Sequence, residues 1–202
     1  MKKSVVIVCL MALLMVGNAY AVNFDIGSNN SPEYGTSSSP TGNYWQLGTG
    51  WGSLSGQLGA NFNVSNTLPS VSFVLNTVGA SSTFRFGDIT LTESNIGSDE
   101  TNNLQITAWL NFILPPGVGL EGFPGSAVAI TGNVDDHYWP WDPPESVDLT
   151  ITFAPLLVSF SGGSFTVDLS DISFNNYDQT KYVDATVTLN STAVPEPMSL
   201  LL

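Results

Sequence analysis

Basic residues and thiols are almost missing from this 202-residue chain. Four Lys and Arg stand against 17 Asp and Glu with a single His, a formal net charge of −13. A polyanion would be repelled at long range, so nucleic-acid binding is excluded as a function class. The only cysteine, Cys9, sits in an apolar run near the N-terminus. The rest of the chain therefore has no thiol nucleophile, no thiolate metal site and no disulfide. One histidine falls short of the three or four His and Cys ligands that structural zinc requires. A Gly-rich loop ending in Gly-Lys-Ser/Thr is also missing, and with it any support for nucleotide phosphate binding. Charged residues make up only 10%, against about 25% in ordinary soluble domains. The apolar run of residues 5–16 is 12 residues long. At roughly 1.5 Å per residue it is too short to cross a hydrocarbon core of roughly 30 Å.

What is present favours strands. The chain is 43% hydrophobic and 11% aromatic, with 19 Gly and 12 Pro, which disfavours long helices yet is too apolar for a disordered acidic tail. Met1, Lys2, Lys3 and Ser4 form a short positive region, residues 5–16 an apolar core, and Ala19-Tyr20-Ala21 a small-residue cleavage site. These are the three parts of a secretory signal peptide. A cut after Ala21 removes Lys2 and Lys3, taking the formal charge from −13 to −15 and leaving Arg85 and Lys181 as the only full cations. The remaining residues are enough for one domain without staples, since a chain of that size buries roughly 70% of its unfolded surface.

The C-terminal end reads Val194-Pro195-Glu196-Pro197-Met198-Ser199-Leu200-Leu201-Leu202. Two prolines around one carboxylate oppose helix and strand pairing, so the tripeptide is expected to be extended and accessible. The segment resembles the opening of a PEP-CTERM sorting signal, a bacterial C-terminal tag handled by exosortase-type membrane enzymes. That resemblance implies export in a Gram-negative bacterium, with signal peptidase and a sorting enzyme as partners. In the family the tag continues as a membrane-spanning helix of about 20 residues and ends in arginines. Here the given residues end after three leucines, which leaves two expectations open: a truncated tag, or a protein that is simply released.

Between the ends lie short alternating runs separated by Gly, Pro, Asn and Ser. Leu58, Ala60, Phe62 and Val64 share one face, as do Val71, Phe73 and Leu75, with a slip near Asn76 before Val78. Phe84 and Phe86 are out of phase with Ile89 and Leu91, and Gly87 between them marks a bulge. Leu104, Ile106, Ala108, Leu110 and Phe112 give the clearest strand. Further runs follow at residues 127–131, at Val147, Leu149, Ile151 and Phe153, at 156–160, and at Phe165, Val167 and Leu169. A last run holds Val183, Ala185, Val187 and Leu189. Ser161-Gly162-Gly163-Ser164 reads as a hairpin turn. The expected fold is all-β: an antiparallel β-sandwich or jelly roll of about nine or ten strands, with no helix after the signal. The expected divisions are a signal peptide at 1–21, a flexible lead-in at 22–42, the sandwich at 43–190, and a spacer with the sorting motif at 191–202. Residues 115–126 and 132–146 are expected to be loops at one end, where binding surfaces usually form.

A second resemblance rests on Trp51-Gly52, on residues 84–96 (Phe84-Arg85-Phe86-Gly87-Asp88-Ile89-Thr90-Leu91-Thr92-Glu93-Ser94-Asn95-Ile96) and on the closing runs from Gly163 to Leu189. This pattern is similar to the THxN or choice-of-anchor K group of exported PEP-CTERM proteins. Leu91, Glu93 and Asn95 stand where that group has His, Asn and Pro. The resemblance implies an exported β-rich domain and carries over no functional residue.

Chemistry concentrates in one stretch, Asp135-Asp136-His137-Tyr138-Trp139-Pro140-Trp141-Asp142-Pro143-Pro144-Glu145. His137 lacks the partners of a nucleophilic triad. Indole faces and acids together suit glycan contact, so Trp139 and Trp141 are the candidate glycan-binding residues. Paired acids such as Asp136 and Glu145 would serve a polysaccharide hydrolase or lyase only if a cleft held them apart, and the prolines expose the loop instead. Hard oxygen ligands suit calcium, and the candidate weak site is Asp135, Asp136 and Asp142; no other cofactor is expected. The leading expectation is a non-enzymatic, exported protein of the cell surface or extracellular polysaccharide matrix. A carbohydrate-binding module is the alternative.

Overall fold

A computed structural model describes residues 21–27, 42–47, 58–65, 71–101, 105–134 and 147–193. These residues contain strands and turns and no helix. In chain order the strands are β1 (Val22–Ile26), β2 (Tyr44–Leu47), β3 (Ala60–Val64), β4 (Ser72–Leu75), β5 (Ser81–Leu91), β6 (Asn95–Ile96) and β7 (Gln105–Leu114). They continue with β8 (Gly119–Ala129), β9 (Gly132–Asn133), β10 (Leu149–Phe153), β11 (Leu156–Phe160), β12 (Gly163–Leu169), β13 (Ile172–Phe174) and β14 (Thr180–Thr192). One sheet has the order β13-β10-β8-β7-β1-β4, with β2 also bonded to β7. The second runs β11-β12-β14-β5-β3, and β6 pairs with β9. Every pairing is antiparallel, so the expected all-β sandwich is the observed architecture.

Alternation places the core. Ile106, Ala108, Leu110 and Phe112 of β7 are buried, as are Leu149, Ile151 and Phe153 of β10 and Val183, Ala185, Val187 and Leu189 of β14. Trp45 fills the space between the sheets, with its ring 4.3 Å from Phe86, 6.1 Å from Phe153 and 6.2 Å from Phe62. Phe165 does the same farther along, 5.1 Å from Phe24 and 5.2 Å from Phe112. Tilted and edge-on pairs of this kind add to the burial of large rings. The bulge is where β5 meets β14: Val183 faces Gly87, Asp184 faces Arg85, and Phe86 is skipped. The extra residue brings Phe86, Ile89 and Leu91 to the same buried side. Gly87 is required there, because a Cβ would overlap the Asn63 carbonyl oxygen.

The described residues alone form fourteen strands, where nine or ten were expected. β2, β6, β9 and β13 have two to four residues each, too few for alternation to register. Val22–Ile26, expected within a flexible lead-in, is an inner strand of the first sheet, so these five residues belong to the sandwich. At the other end β14 runs on through Ser191 and Thr192, which were expected to be spacer.

The expected loop at 115–126 is the largest correction, since residues 119–126 belong to β8. Its glycines make room for neighbours. A Cβ on Gly122 would lie 3.0 Å from the Trp109 ring, and one on Gly125 would lie 2.7 Å from Ile106 and Phe153 side-chain atoms. Pro124 cannot donate to a ladder. β10 stops opposite Gly125, so Pro124 lies where β8 has a neighbour only on the β7 side.

Candidate functional site

The registers give the sandwich two ends of opposite character. One end gathers the start of β1, the turns after β4 and β7, the β11–β12 hairpin and the end of β14. Residues 21–23, 76–80, 114–119, 160–164 and 190–193 meet there, and none is ionisable. Ala21, Val22, Asn23, Leu114, Pro115, Pro116, Phe160, Gly162 and Ala193 enclose a cleft of about 430 Å³. The Leu114–Pro115 peptide bond is cis, and Gly117 and Gly119 have φ of 88° and 79°, which turns β7 back into β8. Gly163 has φ of 142°, and a Cβ there would overlap the Ser191 carbonyl oxygen. Ala193 donates its N–H to Gly162 O at 2.7 Å. Ala21, the expected cleavage residue, is exposed at the mouth of this cleft. Ala19, Val194, Pro195, Glu196 and Pro197 lie outside the described residues.

The opposite end is acidic. Glu93, Asp99, Glu100, Asp148 and Asp178 lie in the segments 91–101, 147–149 and 174–180 that meet there. Two of these carboxylates hold backbone: Glu93 accepts the Gly59 N–H at 2.9 Å, and Glu100 accepts the Gly97 N–H. Asn95 Nδ2 donates to Asn133 Oδ1 at 2.7 Å, joining β6 to β9. The segment between Val134 and Val147 departs from and returns to this end. Its Asp135, Asp136, His137, Trp139, Trp141, Asp142 and Glu145 all fall outside the described residues, so the expected glycan and calcium positions do too. Among the described residues no three His, Cys, Asp or Glu gather as metal ligands. Asp171, remote from the others, accepts the Phe153 N–H at 2.9 Å.

Between the two ends, the outer face of the first sheet carries an aromatic row that the alternation pattern did not single out. Tyr44, Trp109 and Gly122 are aligned across β2, β7 and β8. Trp109 stacks on Tyr44 at 5.7 Å and donates its indole N–H to Gln46 Oε1 at 3.1 Å. Burial raises the Tyr44 phenol above its ordinary value. A groove of about 270 Å³ runs alongside, lined by Gln105, Ile106, Thr107, Pro124, Gly125 and Ser126. Glu121, opposite Leu110 in register, is half-buried, and desolvation pushes its carboxyl above the usual range.

On the second sheet the outer face is a ladder of hydroxyls and amides. Thr83 pairs with Thr186 at 2.8 Å, Ser164 with Ser191 at 2.8 Å, and Asn190 donates to Thr166 at 2.6 Å. Arg85 crosses it, 2.6 Å from Asp184 and 3.8 Å above the Tyr182 ring. No protein-family model, no curated protein and no solved structure matches this chain.

Proposed function

We propose that this is an exported, non-enzymatic protein of the cell surface or extracellular polysaccharide matrix of a Gram-negative bacterium, addressed by its two terminal segments. The observation that supports this reading is where the strands begin and end. β1 starts at Val22, the first residue a cut after Ala21 would leave, and β14 stops at Thr192, just before Val194-Pro195-Glu196-Pro197. Removing either address at these points takes nothing from the described ladder. Ala21 and Ala193 also line one uncharged cleft, which supports a reading in which both terminal segments leave the body at the same end.

Expression of the 202-residue sequence in a Gram-negative host tests this. The expected product begins at Val22 by intact-mass measurement and is recovered outside the inner membrane. Recovery of the uncut chain from the cytoplasm overturns the reading. Pro195→Ala with Pro197→Ala should change the division between cell surface and medium without changing the fold.

Carbohydrate binding is a second reading, favoured by the partly exposed Trp109 beside an uncharged groove of amide and hydroxyl side chains. Affinity electrophoresis in neutral polysaccharide gels should then show retardation that Trp109→Ala abolishes. Retardation lost only with Trp139→Ala and Trp141→Ala returns the binding to the segment that holds those two residues.

A further inference from the structure

Edge strands are where a β-sandwich is exposed to unwanted pairing, and natural sheets usually blunt them with charge, proline, bulges or short length. The edges here differ in that respect. β13 has three residues and β4 four, and Asp25 on the neighbouring strand reaches Ser72 of β4 at 3.1 Å. The second sheet has two outermost strands of five residues each: in β3, Ala60-Asn61-Phe62-Asn63-Val64, the inward side chains are buried and the exposed ones are amides, whereas β11 is Leu156-Leu157-Val158-Ser159-Phe160. It contains no charge, no proline and no glycine. Its ladder to β12 is regular through all five pairs. Among the described residues no strand bonds its other side. In an antiparallel ladder alternate residues direct N–H and C=O away from the partner, so β11 offers a second row of donors and acceptors.

Its side chains are incompletely covered as well. Val158 is buried, whereas Leu156 and Phe160 are only partly buried against the core, and Leu157 is 64% exposed. A two-fold antiparallel pairing centred on Val158 would set Leu156 beside Phe160 of a second copy, and Phe160 beside its Leu156. Both half-open ends of the stripe would close at once. An isologous contact of this kind is self-complementary by symmetry.

Charge selects the same place. Two copies each carrying −13, or −15 after leader removal, repel one another. Residues 154–164 hold no ionisable side chain, so contact along β11 brings no carboxylates face to face. We infer that β11 is a self-association edge, through which two copies of this chain join their five-stranded sheets into one continuous ten-stranded sheet. The pairing is only five residues long in each copy, so the dimer is weak and concentration-dependent. The inference rests on strand geometry and charge and stands apart from the export reading.

Sedimentation equilibrium on the protein expressed from the 202-residue sequence tests it, up to on the order of 1 mM and across a salt series. The expected result is a monomer–dimer equilibrium that tightens several-fold as salt screens the repulsion. Leu157→Asp, which sets a further carboxylate on each copy at the seam, should abolish the dimer, and Leu157→Thr should keep it. Val74→Asp, at a comparably exposed apolar site on β4, should leave the dimer intact. Far-UV circular dichroism and thermal melting confirm that each variant is folded. A parent that stays monomeric throughout overturns the inference. So does a dimer that survives Leu157→Asp or falls with Val74→Asp.

Discussion

The two ends of the sandwich solve the same problem, closing strands over a core, with opposite chemistry. At the end where the described chain starts and finishes, closure is by backbone. Gly117, Gly119 and Gly163 take conformations at φ of 88°, 79° and 142°, and the lining of the cleft is uncharged. At the other end carboxylate and amide side chains reinforce the backbone turns: Glu93 holds the Gly59 N–H, Glu100 holds the Gly97 N–H, and Asn95 holds Asn133. A charged acceptor can be lost singly at a modest cost, whereas a backbone crossing has no spare room. The difference also sorts possible contacts, since a molecule of net charge −13 can meet another acidic surface only through its uncharged end or edges.

That contrast can be broken most severely at Gly163. Gly163→Val places a β-branched side chain where a Cβ already overlaps Ser191 O and where φ is left-handed. A loss of about 3 kcal/mol in denaturant unfolding is expected. A loss below 1 kcal/mol would show that the uncharged end relaxes easily. Glu93→Ala at the acidic end should cost about 1–3 kcal/mol, because the Gly59 N–H loses a charged acceptor. Glu93→Gln, which keeps an acceptor oxygen, should recover most of it in the same titration.

The smallest effect concerns Glu121, the carboxylate that desolvation raises. A folded-state value above the unfolded one means that the folded protein binds the proton more tightly. Stability from this group is therefore greatest at low pH and falls as pH rises through the unfolded and then the folded value. Glu121→Gln should remove that dependence. Melting curves should show the variant slightly more stable than the parent at pH 7 and no different at pH 4. Equal gains at both pH values would assign the effect to packing instead.

Legibility of the sequence followed local periodicity. β7, β10 and β14 were readable because each buries one face along most of its length, and the Gly87 bulge was readable because the phase of the apolar residues changes across it. β8 was not, because its glycines and Pro124 look like loop residues in isolation. They are explained only by the Trp109 ring over Gly122, the Phe153 and Ile106 side chains over Gly125, and the end of β10 before Pro124. The apolar cleft was hidden for a related reason: its walls come from four separate segments, none with a motif of its own. Trp109 was read only as part of a strand, since an outward ring in an alternating run carries no signal of its neighbours.

Composition and alternation by themselves determined a thiol-free, acidic, all-β body, because side-chain charge and two-residue periodicity are local properties that survive without contacts. Which strands became neighbours, which edge stayed open and which end gathered the carboxylates were decided only in three dimensions. Strand order and register join residues more than a hundred positions apart, as Thr83 and Thr186 show. That pairing depends on the fit of facing side chains between the sheets, which no stretch of sequence contains on its own.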